Sequence, residues 1–379
     1  MRSSSTEFRA WCFRSSAFVM MAALAASAGT IGCNTDLIIN AIPNGHHQAN
    51  TGGSGTGGSS TGFGTGGSSG TGIACSPIVA VPGVSNPCGR MPAVAYSKDG
   101  QLFAAGRDSS APNVYLWSVA GGILRHTLTG APSGILSVAF SPDGTLIASG
   151  GKSDSPADLV HIWNTSSGQL VRTLPLGFDP QNGIFYASSV AFSHDGALIA
   201  TAGVVGPVEL WRVSDGVRVT AIPYPTSIHN VHFSPDDSKL IVGGVDERAT
   251  VWSVPAGTLT LTLTGTAGEM ADADFSPDGQ RIASTGVGNV IKIWDAGSGM
   301  LMQTLVGHDQ FVSHVLWVGN DRLVTDDWSG IVKMWAVGAI GSSVSNTWNV
   351  GAQALGLALS PDHTRIAVGA DNGIAFLVP

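Results

Sequence analysis

Charge is scarce in this 379-residue chain, with Asp, Glu, Lys and Arg making up only 12% of it. It has no Lys/Arg cluster and a formal net charge of −8, which excludes the basic footprint of a nucleic-acid binder. Beyond the first 30 residues no window repeats its apolar residues every 3.6 positions, which argues against a helical core. Gly-x-Ser-x-Gly, His-Glu-x-x-His and Walker sequences are all missing. With no nucleophile, base and orienting group at a motif spacing, the chain reads as a non-enzyme with no cofactor and no metal. His229/His232 and His308/His314 come closest to ligand pairs, and Asp272 and Asp274 alternate along one strand and face one side, read as a solvated wall with attraction of a cation as the alternative. What is abundant is Gly, 51 residues, among short aromatic and β-branched runs, and that combination specifies an all-β protein.

Arg2, Arg9 and Arg14 precede an uncharged stretch from Ala17 to Ala28, the layout of an export signal. The apolar run is too short to span a bilayer, which needs about 20 residues. Thr30-Ile31-Gly32-Cys33 resembles the bacterial lipobox, in which cleavage leaves an N-terminal cysteine for lipidation; this chain has Thr30 where Leu is usual. The alternative is an ordinary signal cut after Ala26-Ser27-Ala28. If Cys12 leaves with the signal and Cys33 carries lipid, Cys75 and Cys88 remain as a disulfide pair, two free thiols being the alternative. Loss of residues 1–32 leaves 15 basic against 25 acidic residues, a net −10. Thr51 to Gly72 is a Gly/Ser/Thr tract broken only by Phe63, a flexible coil with a reach of roughly 25 Å. The expected organisation is a signal over 1–32, a tether over 33–73 and a folded domain over 74–379. Such a chain would be exported and held by lipid at a bacterial envelope membrane, on its periplasmic or cell-surface side.

The folded part is written around one phrase. Phe140-Ser141-Pro142-Asp143-Gly144 returns near Phe192, Phe233, Phe275 and Leu359, with an earlier relative at Tyr96 and a worn copy at Trp317. Ser, Pro and Asp in succession favour a type I turn, and Gly then takes a positive φ. Apolar runs on both sides make each copy a hairpin. Successive copies are 44, 52, 41, 42, 42 and 42 residues apart, and a tryptophan follows each of the first six, at 117, 163, 211, 252, 294 and 335. Phe376 stands in for the seventh. A period near 42 with four short strands per unit means propeller blades. In the second unit the strands are expected at Leu136–Ser141, Leu146–Gly150, Leu159–Trp163 and Leu170–Leu174.

This pattern resembles the WD40 repeat family over roughly residues 78–379. Gly307-His308 opens one repeat, and Ile291-Lys292-Ile293-Trp294-Asp295 closes the one before it. Elsewhere in the repeats Trp is not followed by Asp, and Gly-His occurs there once. The family's Asp, six residues before Trp, matches at Asp246, while Ser329 holds that place in the repeat of His308. Its Asp–His–Ser–Trp network is therefore expected to be incomplete. The resemblance implies a seven-bladed β-propeller, six blades being the alternative because the repeat at Trp317 is so worn. The last repeat stops after its third strand, so Ile78-Val79-Ala80-Val81 is expected to supply the fourth, as N-terminal segments do in this family.

The resemblance also implies that loops between second and third strands, and between blades, share one face, opposite the Ser-Pro-Asp-Gly turns. That face is expected to bind a protein or peptide, with Arg107, Lys152, Asp246, Arg248, Asp327 and Trp328 as candidates. The insertion from Gly177 to Tyr186, which explains the 52-residue interval, adds Phe178, Phe185 and Tyr186. The expected function is a monomeric, non-enzymatic interaction module. A lactonase-like exported hydrolase with a site over the central channel is the alternative.

Overall fold

The structure is a computed structural model that describes residues 89–109, 113–130, 134–153, 159–175, 185–203, 206–245, 248–264, 270–338 and 341–379, without the side chains of Ser153 and Phe185. The signal, Cys33, the tether, Cys75, Cys88, the strand expected at 78–81, Phe178 and Asp246 lie outside these residues. Among the described residues, no helix is long and apolar enough to cross a membrane.

The protein is all-β and antiparallel. Its strands form successive four-stranded meanders, each running in chain order, and end in a three-stranded sheet over 354–377. In the turn at Ser141 the Gly144 amide donates to the Ser141 carbonyl at 2.9 Å, and Gly144 has φ +71°. The Ser141 hydroxyl donates to Asp143 Oδ1 at 2.6 Å and accepts from the Leu146 amide at 2.9 Å. The bond from the Ser141 hydroxyl, then that from the Thr145 amide, holds the Asp143 carboxyl below its ordinary range. Copies at 97, 193, 234, 276 and 360 repeat the serine–aspartate bond. Where the chain lacks the glycine, Asp237 and His363 still adopt φ +57° and +58°. Asp237 uses that geometry to accept from the His194 and Asp195 amides of the preceding turn, at 2.7 and 2.8 Å.

The expected strands of the second meander are all present, at Ile135–Phe140, Leu146–Ser153, Val160–Asn164 and Leu170–Leu174. The second of them is longer than the sequence suggested. Its end pairs with the start of Phe185–Phe192, Lys152 opposite Tyr186 and Ser153 opposite Phe185, and so joins two meanders into one eight-stranded sheet. The close of the insertion is therefore strand rather than loop. The worn repeat is structurally whole, with strands Val312–Gly319, Arg322–Asp327, Ile331–Val337 and Ser342–Asn349. Trp317 fills the place of the phenylalanine there. Its indole donates to the Asp274 carbonyl at 3.2 Å, and the Arg281 guanidinium lies 5.0 Å from its ring centre.

The first strand of each meander packs on the first strand of the next, and that of the first packs on that of the last. At this closing seam the Met91 amide donates to the Ala370 carbonyl at 3.0 Å, and Phe103 meets Phe376 with ring centres 5.2 Å apart. Backbone approaches backbone so closely here that a Cβ on Gly356 or Gly369 would collide with the carbonyls of Pro92 and Met91. The third-strand rings Trp117, Trp163, Trp211, Trp294 and Trp335 are buried between neighbouring sheets. Trp211, Trp294 and Trp335 each donate to a hydroxyl ten residues earlier, on Thr201, Ser284 and Thr325.

Candidate functional site

The candidates of the second-to-third-strand junctions stand on the first, second, fourth and sixth meanders, Lys152 and Asp327 at the ends of second strands. Lys152 is not available to a partner as a bare charge. Its Nζ lies 2.8 and 3.0 Å from the two oxygens of Asp108, whose Oδ2 is also 3.8 Å from Arg90 Nε. Arg90 in turn lies 3.6 Å from Asp371 on the last sheet, so the cluster ties the closing seam together on this side. Burial, and then the negative charge of Asp108, pushes the Tyr186 phenol above its ordinary value. The structure thus brings Lys152 and Tyr186 together, one residue from the Asp108 that follows Arg107. Arg107 itself is half-buried, and its carbonyl accepts from the Ile135 amide at 3.0 Å. Arg248 is exposed just before strand Ala249–Ser253.

Trp328 stands on the sixth meander, 39% exposed, directly after strand Arg322–Asp327. Its ring centre is 4.8 Å from that of Phe311, and its amide donates to the Phe311 carbonyl at 3.1 Å. A broad aromatic surface is thereby held in one place while much of it faces solvent, the property that favours Trp as a binding anchor.

Asp327 requires a correction. It is 1% exposed and cannot meet a partner. Its Oδ2 lies 2.7 Å from His308 Nδ1, and His308 Nε2 lies 2.8 Å from Thr325 Oγ1, which also accepts from Trp335 Nε1 at 2.8 Å. Asp327 Oδ1 accepts from the Ser329 hydroxyl and from the Ser329 and Ile331 amides, at 2.6, 3.0 and 3.1 Å. The network expected to be incomplete is complete, with Thr in place of Ser and the carboxylate eight residues before Trp335 instead of six. Burial opposes the charge of Asp327, but these bonds, led by His308, outweigh it and lower its pKa.

Asp272 also departs from expectation, being 2% exposed instead of solvated. Its Oδ1 accepts from Asn230 Nδ2 at 2.7 Å and its Oδ2 from the Val315 amide at 3.0 Å, linking three adjacent first strands. Asn230 continues the chain of bonds to Ser189 Oγ at 2.8 Å. His232 Nε2 lies 3.3 Å from Asp272 Oδ1, and His232 Nδ1 lies 3.9 Å from Asp274 Oδ1. Within the sixth meander His314 Nδ1 lies 2.9 Å from the fully buried Asp326, its partner on the neighbouring strand. Among the described residues, no three His, Cys, Asp or Glu side chains are arranged to hold a metal ion. Asn230, Phe311 and Thr325 were missed by sequence reasoning. The readable trace of Thr325 was its hydroxyl ten residues before a repeat tryptophan.

Comparison with known proteins places these repeats. The family model described as "WD domain, G-beta repeat" matches residues 122–164 and 257–295. The chain is 26% identical over 129 residues to a "Periodic tryptophan protein 2 homolog" of Schizosaccharomyces pombe, covering 34% of this chain and 14% of that protein. It is 33% identical over 119 residues to an uncharacterized WD repeat-containing protein of Synechocystis, covering 31% of each. A ciliary WD repeat-containing protein of Euplotoides octocarinatus is 30% identical over 185 residues, 42% of this chain and 25% of its own length. The chain therefore spans less than a third of each of these curated relatives, and what it shares with them is the WD40 repeat.

Proposed function

We propose that the protein is a seven-bladed WD40-type propeller acting as a non-enzymatic module for binding a protein or peptide. The reading rests on Trp328, a large ring fixed on Phe311 yet 39% exposed on a loop. Closure of the ring by residues 78–81 is supported by Gly373–Leu377. That strand is the outermost of its sheet among the described residues, yet each of its residues is buried. A strand edge hidden in this way needs a pairing partner. We further propose that the chain is exported, lipidated at Cys33 and tethered at a bacterial envelope, with a disulfide between Cys75 and Cys88 beside the closing strand. The support for this part is the basic, apolar and small-residue order of residues 1–33 and the Gly/Ser/Thr tract behind it.

Cross-linking of the full chain in its own envelope tests the binding reading. Trp328→Ala is expected to remove partners that wild type captures, and an unchanged set of partners contradicts it. The anchor is tested separately: Cys33→Ser is expected to abolish lipid labelling, and persistent labelling sinks that part alone.

A further inference from the structure

The cluster formed by His232, Asp272, Asp274, His314 and Asp326 belongs neither to the recognition loops nor to the His308 network. It spans the first strands of three successive meanders, Ile228–Phe233, Met270–Phe275 and Val312–Gly319, together with the end of Arg322–Asp327. Asp272 and Asp326 are 2% and 0% exposed, and among the described residues neither forms an ion pair with Lys or Arg. Their nearest cations are imidazoles, His232 at 3.3 Å and His314 at 2.9 Å, whose side chains remain 28% and 25% exposed. A buried carboxylate next to a solvent-reachable imidazole gains its counter-charge only while that imidazole holds a proton.

We infer that this seam is a proton-responsive joint: imidazolium at His232 fastens the fourth meander to the fifth, imidazolium at His314 fastens the first two strands of the sixth beside Asp272, and deprotonation loosens these strands selectively. The other groups facing the joint are few. His229 precedes Asn230 on the first of these strands, and Asn230 and Ser189 are neutral. Lys239 and Arg281 open the second strands two residues before Ile241 and Ala283, the partners of His232 and Asp274. Arg322 opens the strand that carries Asp326, and the first strand of the last meander, Ala354–Leu359, brings no charge.

The electrostatics agree in sign. Burial pulls His232 down, but Asp272 outweighs it and lifts the imidazole to about 9. His314 is raised in the same way by Asp326 against its burial. A raised imidazole value stabilises the fold below the unfolded value of about 6.5, and that contribution disappears as pH climbs through the folded value. Burial raises Asp274 to about 6, so its cost to the fold accrues between its unfolded value and about pH 6 and is constant above that. Asp272 is lowered overall, and its contribution is constant across this window.

Amide hydrogen exchange of the full chain at several pH values, corrected for intrinsic exchange, tests the inference. Protection of 228–233, 270–275 and 312–319 is expected to fall relative to 93–96 and 135–140 between pH 7 and 9.5, by up to roughly tenfold per pH unit. A uniform change across all first strands overturns it. His232→Gln is expected to flatten the difference, and a difference that persists in that variant also overturns it.

Discussion

Asp326 and Asp327 are consecutive on one strand, and their side chains leave it on opposite sides. Asp327 reaches into the sheet packing, where His308 has partners on both ring nitrogens and the chain of bonds ends on Trp335. Asp326 reaches the inner seam, where His314 is one-quarter exposed. Both carboxylates are buried and both meet an imidazole, so composition does not separate them. What separates them is satisfaction. A network whose polar atoms are all matched holds one geometry and serves as scaffold, whereas a pair with one side open to water answers to pH. Trp328, the next residue, is where the same strand passes into a loop and the chain turns outward.

The largest effect is expected on the scaffold side. Asp327→Ala strands His308 and the Ser329 and Ile331 amides, and loss of one member of such a buried set costs about 3–5 kcal/mol. Denaturant unfolding of the full chain measures it, and a cost under about 1 kcal/mol would dissolve the distinction between the two aspartates. Thr325→Val keeps the shape but leaves Trp335 Nε1 without its acceptor and His308 Nε2 without its hydroxyl partner. A loss of about 1–3 kcal/mol is expected, because two buried polar groups are left unmatched. Gly369→Ala drives a methyl into the Met91 carbonyl at the closing seam and is expected to cost about 1–3 kcal/mol by overpacking. Thermal unfolding reads both. The smallest effect on stability is expected from Trp328→Ala, within about 1 kcal/mol because the ring is partly solvated, although partner capture is lost. A variant that unfolds the sixth meander would instead make Trp328 part of the scaffold.

Much of the architecture was legible because its cause is local. Ser141, Asp143 and Gly144 build their turn from bonds spanning two to five residues, and any sequence with those residues announces the turn. The period survives even where Trp317 and Asn320 replace the motif, because a large ring and a turn-forming residue do the same work. The sites were less legible because their cause is not local. Asn230, Asp272 and Val315 meet across three strands although 42 and 43 residues separate them, a distance that only the repeat converts into contact. Asp327 was assigned to recognition because it was placed in the loop between second and third strands, and nothing in the order Thr-Asp-Asp-Trp-Ser says which of two neighbouring carboxylates turns inward. Phe185 and Tyr186 read as loop because they close an insertion, but strand pairing with Ser153 and Lys152 claims them.

The division between the two aspartates is tested most directly by the pH dependence of unfolding free energy for wild type, Asp327→Asn and Asp326→Asn. Asp327→Asn is expected to be destabilised by a similar amount at pH 6, 7.5 and 9. Asp326→Asn is expected to be destabilised most at pH 6, with its gap from wild type narrowing as pH rises and His314 gives up its proton. Parallel curves for the two variants, or a gap at Asp326 that widens with pH, would contradict the account.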